Sequence, residues 1–322
     1  MGNRLGRTAF ALLKPDAVLR QIEGETLDIL EELGFRIIDF RIGRFTGDAF
    51  NRAYAPGFRW DLDFWHHNQK AYDYGPVVGL LLSTKQTSFG NCENAQTFLS
   101  SQKGNALPRY QESHTIRARC RATNRVFNVV HIPDTLEAGA MEASIWFGKS
   151  LPEVLKAKSN DAKFENRRND LQAEILRHGY FEHRRCDGEL VYYLIKLRLL
   201  HSIEKQSNFP SQAEHVFAPL RRLYGSTISV LSDVSDLGLR DRTLRSSLAV
   251  EAQILRDLNC RDIFNYHPEH TLKQTITVIP ALNEMANLSQ VLDFFWHLLG
   301  QWRVFVSDLE TYLVNTTFRY KS

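Results

Sequence analysis

Glu23-Gly24-Glu25-Thr26-Leu27-Asp28-Ile29-Leu30-Glu31-Glu32-Leu33-Gly34-Phe35-Arg36-Ile37-Ile38-Asp39-Phe40-Arg41-Ile42-Gly43-Arg44 changes its hydrophobic period at one glycine. Before Gly34, Leu27, Leu30 and Leu33 recur at helical spacing. After it, Ile38, Phe40 and Ile42 alternate with Asp39, Arg41 and Gly43. The pattern predicts a helix over 22–33, a stop at Gly34 and a strand over 35–44. Working outward, Thr8 to Lys14 is a short apolar run, and 76–83 reads as a buried strand. Residues 47–54, 61–72 and 93–101 read as helices, 102–115 as a polar loop and 124–131 as a strand. Asp134, with Glu137 three residues on, predicts a capping box and a last helix. The order β-α-β-α-β-α-β-α over 1–150 predicts an α+β, ferredoxin-like domain: a four-stranded antiparallel sheet with helices on one face.

The chain has 322 residues, about twice the usual single-domain length, so two domains are expected. Gly148-Lys149-Ser150-Leu151-Pro152 marks the boundary, giving domains 1–150 and 151–322. The second half reads as mostly α-helical, over 153–177, 189–205, 211–223, 240–258 and 283–315. No motif in it assigns a role, although His178, His183, Arg184, Arg185 and Asp187 form a polar cluster. Its own apolar content calls for its own core.

Composition excludes several classes. A hydrophobic fraction of 43% excludes a disordered chain, and a net charge of +3, spread evenly, gives no basic arm for nucleic acid. No apolar run approaches the roughly 20 residues of a membrane helix. The first residues lack a signal peptide's apolar core, and four scattered cysteines form no CxxC pair. A cytoplasmic protein with reduced thiols is the expectation. His66-His67 point apart on a helix, with no carboxylate or cysteine partner at ligand spacing, so no metal site is expected.

Four features of the first half fit a phosphorylated nucleotide. Lys14 ends a strand beside Pro15-Asp16. Arg117 follows the polar loop. His131 ends a strand three residues after Asn128. Glu142 lies in the next helix. Leu12-Leu13-Lys14-Pro15-Asp16-Ala17-Val18, Gly75-Pro76-Val77-Val78, Thr115-Ile116-Arg117, Asn128-Val129-Val130-His131, and Glu142 with Trp146-Phe147 run in the order and spacing of nucleoside diphosphate kinases. Over about residues 6–148 the chain resembles that family.

The resemblance implies transfer of the γ-phosphate of a nucleoside triphosphate to a nucleoside diphosphate through a phosphohistidine at His131. A neutral imidazole is a usable nucleophile near pH 7. Glu142 matches the residue that bonds the other ring nitrogen, and Lys14 and Arg117 match the phosphate-binding cations. Tyr54 matches an active-site tyrosine, Asn128 the ribose contact and Phe64 the aromatic on which the base stacks. Mg²⁺ would come bound to the nucleotide phosphates. Family members commonly form oligomers, so a homo-oligomer is expected, along with a protein partner for the helical half.

Three positions depart from the pattern. Gln96 stands where the family has a second phosphate-binding arginine. Gln102 or Lys103 occupies the region of a phosphate-contacting threonine. Pro133 replaces a serine two residues after the histidine. Arg119 and Arg121, alternating with Arg117, are candidates for additional nucleotide contacts if the segment is extended. Lys103 is another candidate to compensate for the lost cation. The alternative reading is a weak or inactive nucleotide-sensing module that signals to the helical half.

Overall fold

The computed structural model describes residues 5–45, 47–58, 62–159, 166–177, 188–206, 210–233, 237–259, 293, 295–297, 299–300 and 304–320. For some residues within its helices, Tyr54 among them, it describes the backbone alone. The polar cluster at 178–187 and, of the helix expected over 283–315, residues 283–292, 294, 298 and 301–303 lie outside the described residues; 304–307 are not helical, and a helix resumes at Asp308.

Four strands, β1 (Thr8–Leu13), β2 (Phe35–Gly43), β3 (Val77–Thr84) and β4 (Val130–His131), form one sheet in the order β2-β3-β1-β4. Every pairing is antiparallel. This is the ferredoxin-like arrangement. Around the sheet run α1 (Pro15–Leu19), α2 (Glu23–Glu32), α3 (Gly47–Phe58), α4 (Leu62–Ala71), α5 (Ala95–Gln102), α6 (Ile116–Arg119) and α7 (Leu136–Phe147).

Helices cover both faces of the sheet, where one face was expected. All six residues of β1 are buried. Ala9, Ala11 and Leu13 enter a core with Leu27 and Leu30 of α2 and Ile116 of α6. Phe10 and Leu12 enter a second core with Phe50 of α3 and Trp146 of α7. Successive side chains of a strand point to opposite faces, so a continuous apolar run needs cover on both. Trp146 closes the second core. Its indole lies so close to β3 that a Cβ at Gly79 would come within 1.9 Å of it. Its Nε1 donates to the Arg41 carbonyl at 3.0 Å, and Arg41 returns a bond to the Trp146 carbonyl at 2.8 Å.

The chain divides into two compact units, 1–186 and 187–319, with 320–322 counted with the first. The expected boundary after residue 150 differs from this division by two helices, α8 (Leu151–Ser159) and α9 (Arg168–Arg177). Leu151, Val154 and Leu155 of α8 fill the core under Trp146, and Leu171 and Ile175 of α9 fill the other. The chain before α9 covers the edge of β2. The Arg167 N–H donates to the Ile37 carbonyl at 3.0 Å, where a bulge interrupts the β2–β3 register. Arg167 pairs with Asp39 at 2.8 Å and Arg168 with Glu31 at 2.7 Å. The outer edge of β2 is thus covered at Ile37.

The second unit contains α10 (Gly188–Gln206), α11 (Pro210–Asp233), α12 (Leu237–Asn259) and α13 (Asp308–Tyr320). Its core holds Val191, Ile195 and Leu199 of α10, Phe217 and Leu220 of α11, and Leu313 of α13. Within it, the fully buried Lys196 ammonium meets both Glu251 carboxylate oxygens at 2.7 and 2.8 Å. The Tyr224 hydroxyl also donates to Glu251. The rings of Tyr192 and Tyr193 lie 4.2 and 5.0 Å from the ammonium. Removing one partner strands the other charge, while removing both does not. We predict that Lys196→Met lowers the stability of this unit by about 3–5 kcal/mol. Lys196→Met with Glu251→Leu recovers most of that loss. Urea unfolding of the three proteins checks this, and equal losses for single and double variants would contradict it.

Candidate active site

Three devices position the site around the end of β1. The first is Lys14, immediately after β1. Its N–H donates to the Val129 carbonyl at 2.8 Å. Its ammonium donates to the Val126 carbonyl, to Asn128 Oδ1 at 3.1 Å and to Asn68 Oδ1 at 3.3 Å. The Tyr72 ring lies 5.3 Å away. Burial brings the Lys14 ammonium down to about 7, against Asp16 and with Arg117 adding to the fall.

The second device is a tight turn before β4. The Val130 N–H donates to the Asn128 carbonyl at 2.7 Å, and the residue between them, Val129, has φ +70°. A three-residue turn of this kind is rare and strained, the more so at a β-branched residue. Asp16 holds it, because its Oδ2 accepts the Val129 N–H at 2.9 Å. Burial pushes the Asp16 carboxyl up. The turn makes β4 short. Only Leu13↔Val130 and Leu12↔His131 pair with β1, so the strand expected over 124–131 is two residues long. Before it, Asn124 Oδ1 accepts the Val126 and Phe127 N–H groups at 2.8 and 2.9 Å and shapes that stretch as a loop.

The third device is α7. Its N-cap is Thr135, whose hydroxyl accepts the Ala138 N–H at 3.2 Å. The capping box expected from Asp134 is absent, because Asp134 is bonded instead by Ser100 and Lys103. One and a half turns into α7, Glu142 is buried, and its Oε2 meets His131 Nε2 at 2.7 Å. A carboxylate is an acceptor, so the ring proton belongs on Nε2 and the lone pair on Nδ1.

Arg117 is buried beside these groups. Its guanidinium donates to the Gly104 carbonyl at 2.9 Å and to the Val130 carbonyl, one residue before His131, at 3.1 Å. The structure thus gathers Lys14, Arg117, Asn128, His131 and Glu142 into one region. It does not place Arg119 and Arg121 with Arg117. Residues 116–119 are a helical turn, α6, and Arg121 has φ +55°, so the extended geometry that would align the three is missing. Arg119 bonds Glu32 at 2.7 Å and Arg121 meets Glu25 at 3.3 Å, both on α2. Phe64 is buried, with the Arg125 guanidinium 3.9 Å from its ring centre. The Asn128 amide is engaged at both ends, by Lys14 and by the Arg125 carbonyl at 2.8 Å. The Tyr54 side chain lies outside the described residues.

Gln96 has a different task from an arginine. Its Oε1 accepts the Phe10 N–H at 2.7 Å, and its Nε2 donates to the Phe10 carbonyl at 3.3 Å and the Pro133 carbonyl at 2.8 Å. Pro133 has no N–H and cannot extend the ladder. The amide of Gln96 therefore bridges β1 and the chain beyond β4. The other departure, Gln102, bonds the Ser101 hydroxyl at 3.1 Å. Sequence reasoning missed Asn68, Tyr72 and Arg125. For the first two a signal exists: Phe64, Asn68 and Tyr72 recur every fourth residue, along one face of α4 and into the turn that follows it.

Residues 7–151 match the family model described as nucleoside diphosphate kinase. A nucleoside diphosphate kinase from Clostridium perfringens is 29% identical over 147 residues, 46% of this chain and 95% of that protein. One from Chlorobium limicola is 28% identical over 145 residues, 45% of this chain and 94% of that protein. Among solved structures, a nucleoside diphosphate kinase family protein from Babesia bovis is 25% identical, covers 46% of this chain and 90% of its own, and gives a TM-score of 0.36.

Gln96→Arg tests the bridging role. The variant loses the acceptor for the Phe10 N–H, and Gly139 packs so close that a Cβ there would lie 2.5 Å from Gln96 Oε1. We expect a stability loss of about 1–3 kcal/mol by urea unfolding, the cost of one buried group left unpaired. Nucleotide affinity should not rise. A variant as stable as the parent that binds ATP more tightly would place residue 96 toward the site.

Proposed function

We propose, from the premise that residues 7–151 belong to the nucleoside diphosphate kinase family, that this chain transfers the γ-phosphate of a nucleoside triphosphate to a nucleoside diphosphate. The observation that carries the proposal is the His131 Nε2–Glu142 Oε2 contact of 2.7 Å beside two buried cations. In the first half-reaction the Nδ1 lone pair of His131 forms an N–P bond as the bond between the γ-phosphorus and the bridging oxygen breaks. The nucleoside diphosphate leaves with that electron pair. Glu142 holds the ring proton on Nε2 and offsets the positive charge that develops on the ring. Lys14 and Arg117 neutralise the phosphate oxygens in a site screened from water, where such contacts are strongest. In the second half-reaction a terminal phosphate oxygen of another nucleoside diphosphate attacks the phosphohistidine, and Nδ1 regains its lone pair.

Asn128 and Phe64 are the proposed ribose and base contacts, and Tyr54 the further active-site residue. The Arg117 and Lys103 side chains bond the carbonyls on either side of His131, and the Lys14 N–H bonds that of Val129, cations that fit phosphate oxygens, while the carboxylate at the imidazole, Glu142, is committed to it. Mg²⁺ is therefore placed on the nucleotide, as part of the substrate, where it shields phosphate charge. A cytoplasmic setting, self-assembly and a protein partner for the helical unit belong to the same proposal. Among the described residues, no helix is long and apolar enough to cross a membrane.

The test has two steps. The full chain and His131→Ala are incubated with Mg²⁺ and γ-labelled ATP, cleared of nucleotide, then given unlabelled GDP or CDP. We expect acid-labile label on the parent alone, chased into GTP or CTP. ATP binding without label would overturn the transferase reading and favour a nucleotide sensor.

A further inference from the structure

Lys103 follows α5 and lies in the same cluster as His131. Its carbonyl accepts the Arg117 N–H at 3.1 Å, so its backbone is tied to a proposed phosphate ligand. Its ammonium donates to the carbonyl of Ile132, the residue after His131, at 3.0 Å. It also pairs with Asp134, which accepts a second bond from the Ser100 hydroxyl at 2.7 Å. Lys103 is close enough to feel the charges of Arg117 and Glu142. The two partners differ in exposure. The Lys103 side chain is 20% exposed and that of Asp134 78%. The cation is fixed in the wall of the site, and its counterion stands in solvent, where a competing anion can displace it.

Resting on the reading above, we propose that Lys103 is a third phosphate-binding cation of this site, and that Asp134 is an internal anion which a polyphosphate displaces from it. The Ile132 carbonyl holds the ammonium beside His131 throughout the exchange. Gln96 is committed to the backbone of Phe10 and Pro133, so position 96 supplies no charge. The positive charge enters from seven residues further on, at the end of the same helix. Burial pulls the Lys103 ammonium down, against the bond from Asp134. Exchanging one carboxylate oxygen for a phosphate oxygen leaves the ammonium paired and hydrogen-bonded, so the swap strands no charge.

The two partners should act in opposite directions, which a structural clip would not do. Inorganic tripolyphosphate is titrated calorimetrically into the full chain, Lys103→Met, Lys103→Arg and Asp134→Asn, with thermal melts to confirm folding. Loss of one charge-assisted contact predicts affinity about ten- to a hundredfold weaker in Lys103→Met. Lys103→Arg should stay near the parent, and Asp134→Asn should bind more tightly. Affinities of Lys103→Met and Asp134→Asn that equal the parent, or that fall together, would overturn the proposal. Tripolyphosphate binding needs no transfer step, which separates this question from the previous one. A parent that binds tripolyphosphate in this pattern but forms no phosphohistidine keeps the Lys103 assignment and loses the transferase. A parent that transfers phosphate with Lys103→Met unaffected does the reverse. No binding to the parent overturns the Lys103 assignment outright.

Discussion

β4 is two residues long, and the position of His131 depends on what holds so short a strand. Two ladder pairings cannot fix a side chain against solvent on their own. The rest comes from outside the ladder. Asp16 and the Lys14 backbone grip Val129 from opposite sides, by its N–H and its carbonyl. Arg117 takes the Val130 carbonyl, and Gln96 the Pro133 carbonyl. Residues from the end of β1, from α1, from α5 and from α6 therefore converge on a five-residue stretch centred near His131. Strain at Val129 is tolerated because these bonds over-determine the turn.

The same bonds explain how several charges are buried together. Lys14, Asp16, Arg117 and Glu142 are all nearly inaccessible, and none is isolated. Lys14 is shared among a backbone carbonyl and two asparagine side chains, Arg117 between two carbonyls, and Glu142 is matched to the imidazole. Buried charges persist where hydrogen bonds replace their water. The helical unit solves the same problem differently, with Lys196 and Glu251 paired directly under three tyrosines. In the first unit the ammonium is bonded mainly to neutral acceptors, which leaves it responsive to an incoming anion.

Much of the fold was legible because its signals are local. The helix, stop and strand around Gly34 appear within a residue or two of their expected ends. Lys14, Arg117, His131 and Glu142 were nameable from motif order, and the structure brings them into one region, Lys14 just after β1, Arg117 within α6, His131 at the end of β4 and Glu142 within α7. What was not legible depends on distant pairing. The apolar residues Val126, Phe127, Val129 and Val130 read as strand, but Asn124 and the turn at Val129 bend that stretch away from β1. The alternation of Arg117, Arg119 and Arg121 reads as one face only if the backbone is extended, and α6 is helical. Asp134 has the residue type of a helix cap, yet Lys103, thirty-one positions earlier, captures it. Whether Gln96 faces substrate or backbone follows from where the β1 edge is left unpaired, and no local pattern encodes that. The second core, on the far face of the sheet, is filled partly by α8, which lies beyond the Gly148-Lys149-Ser150 punctuation and so read as the start of another domain.

The central claim is that Glu142 fixes the tautomer of His131 and presents Nδ1 for transfer. Nitrogen-resolved NMR of histidine-labelled protein at pH 8 measures this directly. The account predicts that His131 carries its proton on Nε2, and that Glu142→Leu abolishes this preference. A proton on Nδ1 in the parent protein, or a tautomer unchanged by Glu142→Leu, would contradict it.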